Sequence, residues 1–527
     1  MFGLAKDSLE LVDPEQALGR VRYDVRSDFI LAPHYSAVFA HAADELWEHV
    51  AHELESGQLQ LALPIVVDVP KPSRLTRPGA ILTPIDRVVY QALLDVIAPV
   101  AEDQLDRTRV FSYVLLKDDP ECKMFEDPHS QRTQMMDALR ELAADGSWGA
   151  AIKTDVANYY ETLYQHNLIN LLQASGCDAG AVNLLERLLL AWAQKASHGI
   201  IQGVFPSDFL GNFYLSSLDA NLAIKGLPSV RYVDDLRVFT QDLDGARRAL
   251  VDLCAYLRQE GIYLNESKTA TVNPDELVEE ETELDKRFEK ARQEIIDSPW
   301  ETAPSLYGFQ STWEIVKEGS ASPEEEVKLL ATEALYEGRK EAAAGRQEQI
   351  DRFCLPVFSA AQSTEAVEDA LEGIVRRPHM SHVYCSYLAS LMPGTPDLAA
   401  KFEKTVVFRQ LPYDWQAMWC VGALLSAESV SPETVDESMR ILVDGGRQPA
   451  LRALCTGFAG KFGSPQQRRI LRLRYSDEPS EYVRSAILFA SRYFPTGERN
   501  TCISSWGGHS FTNSLIGKAV KVLAQGD

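Results

Sequence analysis

The sequence predicts an α+β region over residues 1–272, an acidic helical connector over 273–350 and an all-α domain over 351–527. Three observations carry this division. Short β-rich runs, LPIVVDVP, GAAIKTD, VRYV and LRVF, alternate with helical patterns only in the first region. From Asp275 to about Gln349 the text turns to Glu, Lys, Ala and Arg, with acid-to-base spacings that suit solvated helices. Beyond Arg352, apolar helical patterns alternate with short Pro, Gly and Ser turns, and strand signals cease.

The last region shows internal similarity. LRALCTGFAGKF, from Leu451, lies 32 residues before VRSAILFASRYF, from Val483, and the two share an Arg second and a Phe last. WQAMWCVGALLS, from Trp415, has the same small-and-apolar texture 36 residues earlier. Helix-pair solenoids repeat at such periods, so a HEAT-like helical-repeat domain is expected over 351–527; an ordinary helical bundle fits the same texture.

Composition narrows the class. At 45% hydrophobic and 24% charged, the 527-residue chain is neither disordered nor fibrous. Eight scattered cysteines form no CxxC pair and have no His at metal-site spacing, which suggests neither a zinc site nor a disulfide framework and fits a reducing cytoplasm. The opening MFGLAKDSLELVDPEQ carries acids where a signal peptide carries a basic end, and no run of about 18 apolar residues escapes charge. A soluble cytoplasmic protein without a membrane partner is expected. Net charge of −24 opposes broad binding of duplex, so any nucleic-acid site must be a local basic groove.

In RYVDDLRVF, two adjacent carboxylates, Asp234 and Asp235, sit between strand-like runs, which reads as a hairpin with the acids at its turn. Like charges side by side repel. A solvated turn tolerates them, whereas a divalent cation relieves them; hard oxygen ligands suit Mg²⁺, with Mn²⁺ as a substitute, and paired ions stand about 3.5–4 Å apart. The metal reading needs a third carboxylate. Asp155 ends the β-like run of AAIKTDVANYYETLYQ, 79 residues before Asp234, with the backbone carbonyl of Val156 beside it. Alone, Asp155 serves equally as a helix N-cap. Between the acids, HGIIQGVFPSDFLGNFYLSSLD gives a turn in which Gly199 and Gly203 admit close backbone approach, then a helix from Pro206 and Ser207. Finally, GIYLNESKT puts Lys268 beyond another β-like run.

In this order the four pieces resemble the palm of reverse transcriptases. The matching positions are Asp155 with Tyr160, Gln202-Gly203 with Ser207, Tyr232-Val233-Asp234-Asp235, and Gly261 with Leu264-Asn265 and Lys268. Upstream, VPKPSRLTRPGAILTPIDRVVYQALLDVIAP resembles the family's fingers, with Lys71 and Arg77 as basic groups and Asp86-Arg87 opening a helix. The resemblance covers roughly residues 50–272 and implies a fingers-palm fold for the first region. More narrowly, DRVVYQALLDVIAP followed by RVFSYVLLKD, with a palm that runs into helical repeats and no recognisable thumb, resembles the bacterial abortive-infection and defence-associated reverse transcriptases. Those are stand-alone phage-resistance proteins, several of which assemble into oligomers and make DNA without an ordinary nucleic-acid primer. Val114 follows FSY where a basic residue is expected, so a phosphate contact there is not carried over.

The resemblance implies an RNA-directed DNA polymerase using two-metal phosphoryl transfer. Asp155, Asp234 and Asp235 are the expected catalytic carboxylates, holding Mg²⁺ together with Val156, and Lys268 is the expected helper of the leaving pyrophosphate. Tyr160 is the expected steric gate against a 2′-hydroxyl, with Tyr159 and Tyr160 as plain core aromatics the alternative. Gln202, Gly203, Ser207 and Tyr232 are expected around the nucleotide, and Lys71 and Arg77 on its triphosphate, with Arg74 competing. Implied partners are dNTPs, a single-stranded DNA product, an RNA template or non-coding RNA, and further copies of the chain. A second reading makes the C-terminal helices the recognising surface for RNA or protein, with the palm as scaffold.

Overall fold

The computed structural model describes residues 3–194, 196–278, 332–406 and 410–526. They form two compact units, each discontinuous in sequence. One comprises the described residues up to 24, 47–64 and 85–278; the other comprises 25–46, 65–84 and those from 332 onward. The described strands are Ile65–Pro70 (β1), Thr76–Ile81 (β2), Ala150–Asp155 (β3), Ser229–Tyr232 (β4), Asp235–Thr240 (β5) and Ala270–Val272 (β6).

The first unit holds the sheet β4-β5-β3-β6, antiparallel throughout. β3 lies inside, and every residue except Lys153 is buried, which explains its near-continuous small and apolar sequence. Asp155 pairs with Asp235 and Tyr232 with Asp235, so these three share one face; Thr154, Leu236 and Arg231 form the corresponding row on the other. Phe111, Leu139, Ala151, Val230, Phe239 and Leu277 make a core cluster, to which helix Pro128–Ala144 contributes Leu139. Helix Leu243–Gln259 begins at Asp242, whose carboxylate accepts from the Gly245 N–H at 2.6 Å. It buries Ala246, Ala249, Leu253 and Leu257 along one face and packs on β3 and β5.

The second unit is helical apart from the antiparallel hairpin β1-β2. Helices Ala344–Ala360, Ser381–Leu391, Asp414–Leu424, Pro449–Phe462, Glu481–Ala490 and Phe511–Gly526 pack each on the next. Every residue of Ser381–Leu391 is buried, as is every residue of Asp414–Leu424 after its first, so these helices are covered all round. The hairpin belongs here because its polar groups are met here: Tyr413 Oη donates to the Arg74 carbonyl at 2.7 Å, and Gln448 Nε2 to Asp68 at 3.0 Å. The indoles of Trp415 and Trp419 both donate to the Phe29 carbonyl, at 2.5 and 3.0 Å.

These contacts redraw the linear boundaries. Residues 25–46 and 65–84, expected within the first region, fold with the C-terminal helices. Of the connector expected over 273–350, residues 279–331 lie outside the described residues. Its far end is packed helix: Arg339 donates to Asp351 and Asp369, both at 3.1 Å, and Asp351 is fully buried. Among the described residues no helix is long and apolar enough to cross a membrane, and all eight cysteines are free thiols.

A chain ended after Val272 leaves residues 25–46 and 65–84 without their packing partners. We expect it to aggregate on expression under conditions in which the full chain does not; a soluble, monomeric 1–272 fragment with native-like circular dichroism would contradict this division.

Candidate active site

The sheet register brings the predicted carboxylates to one place. Asp155 and Asp235 end β3 and begin β5 opposite one another, and Asp234 occupies the turn between β4 and β5. Two of the three are held by the protein's own cations. Lys268 Nζ lies 2.9 Å from Asp155 Oδ2, which Asn265 Nδ2 also approaches at 3.3 Å, and Arg237 lies 3.3 Å from Asp235. The third, Asp234, has no ion pair among the described residues. Burial, then the charge of Asp155 and after it Asp235, push its carboxyl up to about 7, against a backbone hydrogen bond and Lys268. Burial would pull Lys268 down, but its hydrogen bond to Asp155 and the three carboxylate charges raise it overall. Among the described residues no group of three or more His, Cys, Asp or Glu forms a ready metal cage. The donor set nevertheless fits a hard dication, because it is all oxygen and carries more negative charge than Lys268 and Arg237 relieve.

Asp155 is fixed from both sides. Its carbonyl accepts from Asn265 N at 2.7 Å, and the following Val156 N donates to the Asp234 carbonyl at 3.3 Å. The β-like run expected before Lys268 is reduced to a single bridge, Val156 to Leu264, after which Asn265 caps the short turn Glu266–Lys268. Lys268 is thus carried to Asp155 by a cap, not by a strand.

The turn at Asp234 rests on a buried arginine. Val233 adopts φ +56°, a left-handed conformation that a β-branched residue reaches only under constraint. Both its backbone groups are claimed: its N–H donates to Ser112 Oγ at 2.8 Å, and its carbonyl accepts from Arg231 Nη1 at 2.8 Å. Arg231 is fully buried, pairs with Asp219 at 2.6 Å, and donates to the side-chain and main-chain oxygens of Asn212 at 2.9 and 3.1 Å. Asn212 is in turn fixed by Ser112, through its Oδ1 at 2.8 Å and its Nδ2 at 2.7 Å. Sequence reasoning missed Arg231, Asp219, Asn212 and Ser112. Their only signal was a charged residue inside a strand otherwise fit for burial.

Tyr159 and Tyr160 differ in burial and in partners. Tyr159 is buried and donates to the Gly211 carbonyl, so it is core. Tyr160 is half-buried; its hydroxyl donates to Asp208 at 3.3 Å, and its ring lies where a Cβ on Gly211 would come within 2.9 Å. Burial, followed by Tyr113, Asp208 and Asp234, holds its phenol well above the usual range. Gly211 and Asp208 are therefore part of this corner and were not anticipated.

The remaining predicted residues separate. Gln202 and Gly203 are half-buried in the turn before helix Phe205–Tyr214, with Gly203 at φ +96°. Ser207 is fully buried and shares a 2.9 Å hydrogen bond with Tyr90, so its hydroxyl serves the fold and is closed to a nucleotide. Tyr232 is half-buried against the core cluster, with its hydroxyl 3.5 Å from the Pro128 carbonyl. Lys71 and Arg77 belong to the second unit, at the β1-β2 turn and on β2, where the Arg77 guanidinium lies 5.5 Å from the Phe29 ring.

Residues 69–328 match the family model of the reverse transcriptase (RNA-dependent DNA polymerase). No curated protein matches the chain. Among solved structures, telomerase from Candida albicans with a TWJ fragment of telomeric RNA aligns at 10% identity over 71% of each chain, TM-score 0.32. Telomerase from Candida tropicalis with the same kind of fragment aligns at 12% identity over 66% of this chain and 65% of that one, TM-score 0.33. The apo telomerase of that organism aligns at 10% identity over 90% and 73%, TM-score 0.29.

Two predictions follow from the geometry. Arg231→Met leaves Asp219 buried without its counter-charge and should cost about 3–5 kcal/mol in denaturant unfolding, whereas Val233→Gly removes a side chain from a left-handed position and should leave stability equal or higher. Without divalent cations, the raised Asp234 keeps its proton in the folded state while an unfolded Asp ionises near 4. Stability is therefore lost as pH rises from about 4 to 7 and is level above. The melting temperature of Asp234→Asn should exceed that of the parent by a margin that grows from pH 5 to pH 8; a margin independent of pH would refute the buried, crowded carboxyl.

Proposed function

We propose that this chain, whose residues 69–328 match the reverse transcriptase family model, is a nucleotidyltransferase of the RNA-directed DNA polymerase class that adds dNTPs at the Asp155–Asp234 corner. The observation that carries this is the meeting of Asp155, Asp234 and Asp235 at one sheet end, where Asp234 is pushed up to about 7. Asp155, Asp234, the Val156 carbonyl and Asp235 would hold Mg²⁺. Bound there, two such cations would lower the pKa of a primer hydroxyl and neutralise charge on the leaving pyrophosphate.

The chain's own residues then do the following. Tyr160, braced by Gly211 and Asp208, lies beneath the sugar and excludes a 2′-hydroxyl. Gln202 and the Gly203 backbone line the nucleotide. Lys268, with an exposed side chain beside Asp155, delivers a proton toward the leaving phosphate. Lys71 and Arg77 remain proposed triphosphate ligands, supported by the resemblance of their segment to the family's fingers.

The narrower resemblance supports a cytoplasmic role in antiphage defence, as a homo-oligomer making single-stranded DNA in a protein-primed or template-independent way. The successive packing of helices from Ala344 to Gly526 supports a HEAT-like repeat domain in place of a thumb. A second reading makes that domain a scaffold for RNA or protein, with a palm that no longer polymerises.

The test is to incubate the full chain with Mg²⁺ and each labelled dNTP or NTP without added template, then treat the product with protease or nuclease. Incorporation of dNTPs that Asp155→Ala abolishes, with unchanged circular dichroism, supports the polymerase; equal incorporation by Asp155→Ala would overturn the site. Tyr160→Ala should admit ribonucleotides, read as a rise in the NTP-to-dNTP incorporation ratio.

A further inference from the structure

The chain is strongly acidic, yet residues 440–499 hold eleven Arg and Lys against five Asp and Glu. Five of them, Arg440, Arg447, Arg452, Arg472 and Arg474, pair with carboxylates, whereas Lys461, Arg468 and Arg492 contact carbonyls and rings. At the end of helix Pro449–Phe462, Lys461 Nζ donates to the carbonyls of Leu425 and Ala427, at 2.7 and 2.9 Å, and lies 5.0 Å from the Phe462 ring centroid. Just past helix Glu481–Ala490, the Arg492 guanidinium lies 4.1 Å from the Phe489 ring centroid and 4.5 Å from that of Tyr493. In helix Pro465–Asp477, the next after Lys461, Arg468 donates to the Gly463 carbonyl at 2.7 Å.

Lys461 and Arg492 are close enough to repel. Burial and then Arg492 pull the Lys461 ammonium below its ordinary value, with only Glu428 opposing. Two of the three ammonium donors serve the end of helix Asp414–Leu424; one is left over. Lys461, Phe462, Arg492 and Tyr493 are all partly exposed. The result is a ledge of cations and half-open aromatic rings built on successive helix ends.

We propose that this ledge binds a single-stranded polynucleotide, its phosphates on Lys461, Arg468 and Arg492 and its bases against Tyr493 and Phe462. An acidic polypeptide would use the cations but gain little from the rings, whereas bases stack on aromatic and guanidinium planes. The choice of a polynucleotide rests on the polymerase reading above. The chain's overall charge makes such a site local, and its binding should fall steeply with salt.

The experiment is fluorescence anisotropy of a labelled oligothymidylate of about 20 nucleotides with the full chain across a salt series. Lys461→Gln with Arg492→Gln should weaken binding about tenfold and flatten the logarithmic salt slope by roughly 1.4; Arg492→Gln alone, which leaves the helix-end contacts of Lys461 intact, should do about half of this. Tyr493→Leu should weaken binding with the slope unchanged, and Arg376→Gln, a charge-matched change on an exposed helix, should do nothing. Parent-like binding by Arg492→Gln overturns the proposal. So does an inert Tyr493→Leu with displacement of the strand by polyglutamate, which would assign the ledge to an acidic protein. Incorporation of dNTP measured on the same samples separates the two readings: activity with an indifferent ledge removes only this inference, and ledge-dependent binding without activity removes only the polymerase.

Discussion

A buried guanidinium sets the geometry of the acidic corner. Arg231 contributes a full positive charge to the closed face of the sheet, and burying it requires that its donors be met. Asp219 supplies the counter-charge, and Asn212 and the Val233 carbonyl take the remaining N–H groups. The consequence reaches the other face. With its carbonyl claimed by Arg231 and its N–H by Ser112, Val233 is bent into a left-handed turn, and the next residue, Asp234, is delivered to the neighbourhood of Asp155. Strain of this kind costs of order 1–3 kcal/mol and persists only where the surroundings over-determine it.

The site then stores electrostatic tension of its own. Three carboxylates at one sheet end have Lys268 and Arg237 as their protein cations, and Asp234 responds by holding its proton up to about 7. A divalent ion offers what these side chains do not, a compact double charge that several oxygens share. Lys268 reaches Asp155 from a capped turn, and its long stem carries the ammonium to the carboxylate without a strand behind it.

The second unit solves a different problem. Its successive helices bury each other almost completely at the centre, so Trp415, Trp419 and Tyr413 spend their polar ends on the Phe29 and Arg74 carbonyls of two early segments. That exchange explains why the early hairpin keeps company with residues more than 300 positions away.

The sequence by itself determined the local features of both units. The β-rich run before Asp155 and the alternation around Asp234 predicted strands, Gly203 and Pro206 predicted the entry to a helix, and the order of the acidic, glycine and lysine motifs predicted which carboxylates meet. Such features are legible because propensity and pattern act over a few residues. Tertiary structure alone decided that Ser207 is sealed against Tyr90, that Tyr159 is core while Tyr160 meets Gly211 and Asp208, and that residues 25–46 and 65–84 leave their sequence neighbours. It also decided that Arg231, an ordinary letter in a strand, is the most constrained side chain at the site. The reason is physical: burial and hydrogen-bond satisfaction depend on which distant groups meet, and no local pattern encodes the partner of a donor 12 or 121 residues away.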